Sequence, residues 1–259
     1  MDWNKAKNLI LLMLVLINLF LLGNLGYLSY RQSAAERQTI AELSAYLEEN
    51  GITLDPDLVP RKNPGRSVLV LTRDVTAELG AMSGLLDQSD LSFVSNGQYR
   101  NESGQMALYN GGFLDGSLSG DLNPAELVER CRHLGARDAH SNVDGDRYEL
   151  QVYYAEYPVF NCQVQAEKAD AVWLLTGRTC MGRTLRTNSG SERDAVGLLV
   201  DLANRLIQDG TRFVNRIDTG WVAGTIAEVG VRLTPVYKVT ADTGDYYINA
   251  IDGTLMSVE

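Results

Sequence analysis

The residues that could do chemistry are few in this chain. There are three cysteines, Cys131, Cys162 and Cys180, and two histidines, His133 and His140. The cysteine spacing fits no zinc motif, and an odd count leaves at least one thiol unpaired within a monomer. Cys162 and Cys180 could face each other across a hairpin turning near Lys168-Ala169-Asp170, either as a disulfide or as two buried thiols, since free cysteine is often simply core. Neither histidine stands near a nucleophile motif. Gly116-Ser117-Leu118-Ser119-Gly120 resembles a nucleophile elbow only in outline, because leucine holds the central place; it reads as a turn. Asn142-Val143-Asp144-Gly145-Asp146 resembles a calcium loop, but His140 stands where the first acidic ligand belongs and Gln151 where the bidentate glutamate belongs. Asp-Gly there reads as a turn. No glycine-rich phosphate loop occurs. The expectation is a protein without catalytic residues, cofactor or metal.

The segment that must place such a body comes first. After Met1 to Asn8, the run Leu9 to Leu22 is apolar at every position except Asn18, and it continues through Gly23, Leu25 and Gly26 to Tyr27 and Tyr30. Residues 9–30 as a helix reach about 33 Å at 1.5 Å per residue, which matches a hydrocarbon core of about 30 Å. Lys5 and Lys7 sit just before the run, whereas the twenty residues beyond it carry Arg31 and Arg37 with Glu36, Glu42, Glu48 and Glu49, so the basic bias favours a cytoplasmic N-terminus and a body outside. Trp3 with those lysines on one side, and Tyr27 and Tyr30 on the other, sit as interfacial anchors. A cleaved signal peptide is the rival reading, with Ser33-Ala34-Ala35 as its site. Both readings export the body.

Within the run, Asn18 is costly facing lipid and can hydrogen-bond to a neighbouring membrane helix. Leu11, Leu14, Leu21, Leu22 and Leu25 share its face at helical spacing, so these six residues are the expected partner contact. Gly23 and Gly26 do not have small-xxx-small spacing.

The body holds about 229 residues, enough for one large domain or two small ones. Of 23 basic and 33 acidic residues, leaving out Asp2, Lys5 and Lys7 gives 21 and 32, a formal net charge of −11. Such a surface repels anionic lipid and gives nucleic acid no footing. A protein or peptide partner fits it better.

Along the body, Glu36 to Asn50 has helical spacing through Ile40, Leu43 and Leu47, closing on Asn50-Gly51. Three of the six prolines fall in residues 55–65, which read as a linker. Ser67 to Leu71, Phe93-Val94 and Gln105 to Tyr109 are strand candidates in a region, up to Gly120, of little pattern. Asn123-Pro124 then opens a helix carrying Leu127, Cys131 and Leu134, followed by strands at Tyr148 to Tyr153, Val159 to Val164 and Val172 to Thr176. Ser191 caps a second helix through Ile207, followed by strands at Trp221-Val222, Val231 to Val239 and Tyr246 to Ile248. The order helix, strand, strand, strand thus appears twice, and Pro158-Val159-Phe160 echoes Pro235-Val236-Tyr237. Tyr148, Tyr153, Tyr154, Tyr157 and Phe160 read as packing between a sheet and its helix, with a peptide-binding surface as the other reading.

Met1-Asp2-Trp3-Asn4-Lys5-Ala6-Lys7, running directly into an aliphatic anchor, resembles the start of the YycI (WalI) family, whose outer parts are similar to YycH. Thr234 to Val239 and Tyr246 to Thr254 resemble the end of PepSY-type modules. The resemblance implies a single-pass cell-membrane auxiliary, not an enzyme, that associates with a sensor histidine kinase of the WalK type and a YycH-like protein. Through them it would tune WalK/WalR two-component control of cell-wall metabolism. A second expectation is an exported PepSY-like inhibitor or chaperone of a secreted protease or other client; a wall-acting hydrolase would need a motif that is missing. The expected fold is α+β: a cytoplasmic tail at 1–8, a transmembrane helix at 9–30, a juxtamembrane helix and irregular or β region at 31–120, and two PepSY-like helix-on-antiparallel-sheet units at 121–188 and 189–259.

Overall fold

The computed structural model describes residues 3–60, 67–87, 92–95, 97–119, 122–141, 146–186, 195–226 and 230–258. Helix α1 (Trp3–Glu49) runs 47 residues without a break, so the apolar run and the helix expected at Glu36 to Asn50 are one rod about 70 Å long. It stops where the sequence places the stop: Gly51 takes φ +81° and Ile52 donates its N–H to the Leu47 carbonyl at 2.9 Å. The side chains from Leu11 to Leu25 are all exposed. Among the described residues no helix is long and apolar enough to cross a membrane.

Beyond α1 the chain is α+β. After β1 (Leu69–Thr72) come α2 (Val75–Leu86), β2 (Ser92–Ser95), β3 (Gln98–Asn101), β4 (Gly104–Leu108) and β5 (Phe113–Ser119). Next are α3 (Pro124–Cys131), β6 (Ala136–Ser141), β7 (Arg147–Tyr154), β8 (Tyr157–Ala169), β9 (Val172–Arg178) and β10 (Arg183–Arg186). Last are α4 (Ala195–Gln208), β11 (Val214–Ile226), β12 (Gly230–Ala241), β13 (Gly244–Asn249) and β14 (Leu255–Met256). Strands β2 to β5, β6 to β9 and β11 to β14 are each an antiparallel meander paired in chain order. A helix precedes each meander, so where the sequence reading has a helix and three strands twice, the described residues hold a helix and a four-stranded meander three times. The three meanders supply twelve strands, and β1, paired to β12 and to β10, brings the sheet to 14 among the described residues: β5 lies antiparallel to β9, and β8 touches β11 in parallel at Val159 and Trp221.

The third repetition lies where the sequence is least legible. Helix α2 has apolar residues around most of its circumference, so no single stripe stands out, and Gly80 and Gly84 weaken its helix propensity. Asp74 nevertheless caps it by accepting from the Thr76 and Ala77 N–H groups, and Ala81, Met82, Leu85 and Leu86 are buried. Glu78, 4 % exposed, is held by Arg73 at 2.9 Å and by the Tyr99 hydroxyl at 2.9 Å, which ties α2 to β3. Burial, followed by the hydrogen bond to Glu78, pushes the Tyr99 hydroxyl up to about 12.

Most of the other expected elements fall close to their residues, but Gly116 to Ser119, read as a turn, are the end of β5 and pair with both β4 and β9. Asn123 and Glu126 form a reciprocal capping box with Pro124 at the first turn of α3. Strand β6 has no counterpart in the sequence reading, because Ala136 to Ser141 carries little apolar alternation. Ser191 lies outside the described residues, as do Asn142 to Gly145 and Gly120. The matching tripeptides do not mark equivalent places: Pro158 lies on the third strand of its meander and Pro235 on the second of its own.

Two cores hold the layers. The larger joins α2 and α3 to the first two meanders and to Trp221, Ala223, Val231 and Leu233 of the third. The smaller places α4 on Val214, Ile217, Tyr237, Val239 and Ile248, with Leu43 and Leu47 of α1 buried in the same cluster. The segment after α1 is also stitched down, since Thr53 donates to the Arg212 carbonyl at 2.8 Å and accepts from Val214 at 3.0 Å.

Gly84 is where α2 meets the turn that follows α3. A Cβ there would lie 2.4 Å from the His133 ring, so the ring needs the bare backbone. Gly84→Ala is expected to destabilise by about 1–3 kcal/mol despite the better helix residue, and His133→Ala in the same chain to recover most of the loss. A double-mutant cycle by urea unfolding checks this; no recovery would contradict the packing.

Candidate functional site: a cleft where the three meanders meet

Strands β8 and β9 are paired from Val164 and Gly177 toward their hairpin, but not beyond. Past that point the two strands fork, with Phe160 to Gln163 on one prong and Arg178 to Met181 on the other. The hairpin turns between Ala169 and Val172, as the expected facing of Cys162 and Cys180 requires. Two polar side chains fill the fork. Asn161 donates to the Ala223 carbonyl at 2.9 Å and accepts the Ala223 N–H at 2.7 Å, so a side chain completes the contact between β8 and β11. Arg178 donates to the carbonyls of Gly111 and Ala223 at 2.9 and 3.1 Å and to Thr225 Oγ1 at 3.2 Å. One guanidinium thereby ties all three meanders together.

The turn at Asn110 to Gly112 fits this junction because it is glycine. Gly111 and Gly112 have φ +82° and +83°, and a Cβ on Gly112 would lie 2.1 Å from the Thr179 carbonyl. That close approach lets Thr179 donate to the Gly112 carbonyl at 2.8 Å.

Over the fork lies a cleft of about 690 Å³ whose walls include Tyr109, Phe113, Asp115, Phe160, Gln163 and Arg178. Phe160 is fixed from behind, edge-on to Tyr247 at 5.8 Å and with the Lys238 ammonium 5.7 Å from its centre. Phe113 sits under the Arg178 guanidinium at 5.1 Å. A second hollow of about 410 Å³ shares Tyr109 and Asp115 and spreads over Gln98, Arg100, Gln105 and Leu174. These residues alternate with buried Tyr99, Met106 and Leu175, so the two hollows lie on the sheet face away from α2 and α3. With aromatic walls, two arginines and one aspartate, the face offers an extended or polar ligand both apolar and charged contacts. Among the described residues no group of three His, Cys, Asp or Glu could hold a metal.

The expected aromatic set divides. Tyr148 stands edge-on to Trp173 at 5.7 Å and Tyr154 edge-on to Trp221 at 6.1 Å, and both pack on the larger core together with Tyr157. Phe160 instead forms cleft wall, and Tyr153 donates to the Asp138 carboxylate. The sequence reading has Tyr109 only as the end of a strand and gives Phe113 and Arg178 no role, because only the fork brings the three together.

The residues expected to make the membrane-helix contact are on α1 and do not line this cleft. Leu11, Leu14, Leu21, Leu22 and Leu25 are each at least half exposed. Asn18 donates back to the Leu14 carbonyl at 2.9 Å, which uses one of its two N–H groups and leaves the rest of the carboxamide available to chemistry across a helix pair. Lys7 and Tyr27 are exposed. The side chains of Trp3, Lys5 and Tyr30 lie outside the described residues.

No family profile matches the sequence, and no curated protein matches it. Among solved structures, the chain is similar to an uncharacterized protein from Eubacterium rectale at 7 % identity and a TM-score of 0.40, over 75 % of this chain and 86 % of that one. It is also similar to the Bacillus megaterium YpeB C-terminal domain at 10 % identity and a TM-score of 0.31, over 75 % of this chain and 98 % of that one. Likeness at this level bears on neither family nor activity. The YycI resemblance is carried by the sequence alone.

Asn161→Leu keeps the size but orphans the Ala223 N–H at the junction. The expected loss is about 1–3 kcal/mol, read as a lower urea midpoint, because a buried backbone donor is left without its partner. An unchanged midpoint would show that the side chain does not hold β8 to β11.

Proposed function

We propose that this chain is a membrane-anchored auxiliary regulator. It would associate with a sensor histidine kinase of the WalK type and a YycH-like protein and so tune WalK/WalR control of cell-wall metabolism. In this reading residues 9–30 cross the cell membrane, the N-terminus is cytoplasmic and the body is extracellular. The family assignment rests on Met1 to Lys7 and the aliphatic run behind them.

One structural observation supports regulation through the helix. Helix α1 passes unbroken from the exposed Leu11 to Leu25 stretch to Leu43 and Leu47, which are 4 % and 2 % exposed in the core beneath α4. A tilt or rotation imposed on the apolar end must therefore move a helix that is part of the body core. The face around Asn18 is the contact we assign to the kinase, since an asparagine between membrane helices contributes roughly 0.6–2 kcal/mol.

The aromatic cleft favours a second reading, an exported PepSY-like inhibitor or chaperone that holds a secreted client on its open face. A pull-down from native membrane separates the two. It compares full-length protein, Asn18→Leu, and a chain whose anchor is an unrelated membrane helix. The expected result is kinase recovered with the native anchor, about 3- to 30-fold weaker association with Asn18→Leu, and none with the exchanged helix. Equal recovery of a secreted client with all three would overturn the regulator and establish the second reading.

A further inference from the structure

Cys162 and Cys180 lie one on each prong of the fork, with Sγ atoms 3.5 Å apart. Cys162 is wholly buried and Cys180 is 8 % exposed, both within the larger core. Cys131 is buried on α3, and burial pushes its thiol up to about 12, which makes it inert. The pair bounds the gap where β8 and β9 stop pairing, beside Asn161 and Arg178.

We propose that Cys162 and Cys180 close to an intramolecular disulfide in an oxidising exterior, riveting the fork that holds the three meanders together. This rests on the extracellular placement of the body given above. The oxidant is a small-molecule or protein disulfide. The Cys180 sulfur, the more accessible of the two, loses its proton and attacks one sulfur of that disulfide, giving a mixed disulfide and releasing one thiol. Cys162 then attacks the Cys180 sulfur, the S–S bond forms and the second thiol leaves. Two protons and two electrons have passed to the oxidant. Access and not acidity makes Cys180 the attacking sulfur: the hydrogen bond to Cys162, followed by burial, pushes the Cys180 thiol well up, whereas the hydrogen bond from Cys180, aided by the nearby Arg178 charge, holds the Cys162 thiol below its ordinary range against burial.

The test uses the full-length protein in detergent, reduced and then equilibrated with oxidised glutathione. Thiols are alkylated in denaturant and the peptides mapped. The expected result is one cross-linked peptide pair containing Cys162 and Cys180, with Cys131 alone alkylated. The Tm should fall by about 5–10 °C on reduction in the wild type and not in Cys162→Ala/Cys180→Ala. Three alkylated thiols, or glutathione left on Cys180, would overturn the pairing. The same mapping on protein trapped directly from native membrane tests the location. A cross-link that forms with glutathione but is missing there would refute the extracellular placement while leaving the pairing intact.

Discussion

The carbonyl of Ala223 is the point on which the rest of the body depends. It accepts from both Asn161 and Arg178, while its own N–H returns to Asn161. The meanders are antiparallel and self-pairing, so each satisfies most of its backbone internally and none has a strong reason to choose a neighbour. The choice falls to the edges. Strands β5 and β9 pair over seven residues, but β8 and β11 touch in parallel at one place only. There, side chains supply the hydrogen bonds that a longer ladder would have given. Because Arg178 also reaches Gly111, the same few atoms decide where the turn before β5 sits and how wide the cleft opens.

The far side of the third meander meets a second constraint. Helix α4 covers β11 to β13, and the end of α1 is buried beside it through Leu43 and Leu47. The strip after α1 hydrogen-bonds to the start of β11, the strand whose other end carries Ala223. One continuous strand therefore connects the root of the long helix to the junction and the cleft. A signal carried along α1 would need no moving part of its own, only a change in how β11 is held against β8.

How much of this could be read in the sequence depended on whether a residue's role was local. The cap at Asn123-Pro124, the stop at Asn50-Gly51, the alternation in β7 and the apolar stretches of β8 and β12 use neighbours in the chain, and they were legible. Helix α2 was not, since its apolar residues form no clean stripe and one of its glycines, Gly84, serves a partner, His133, that lies 49 positions away. Strand β6 carries too few apolar residues to stand out. The cleft was hidden for the same reason. Phe160 was noticed as an aromatic on a strand, but Tyr109, Phe113 and Arg178 become its neighbours only because β8 and β9 part at Gly177. The facing of Cys162 and Cys180, by contrast, follows from hairpin arithmetic, and the structure places their sulfurs in contact.

Native-state hydrogen exchange on the full-length protein in a lipid nanodisc tests the central claim, that the root of α1 and the junction form one rigid body. The amides of Ile52 and Val214 report on the helix root, and those of Ala223 and Thr179 on the fork. The account predicts that all four open together, with one free energy and one dependence on denaturant. If Ile52 and Val214 exchange in a separate and easier opening while Ala223 and Thr179 stay protected, the helix is merely tethered to the body and the coupling described here is wrong.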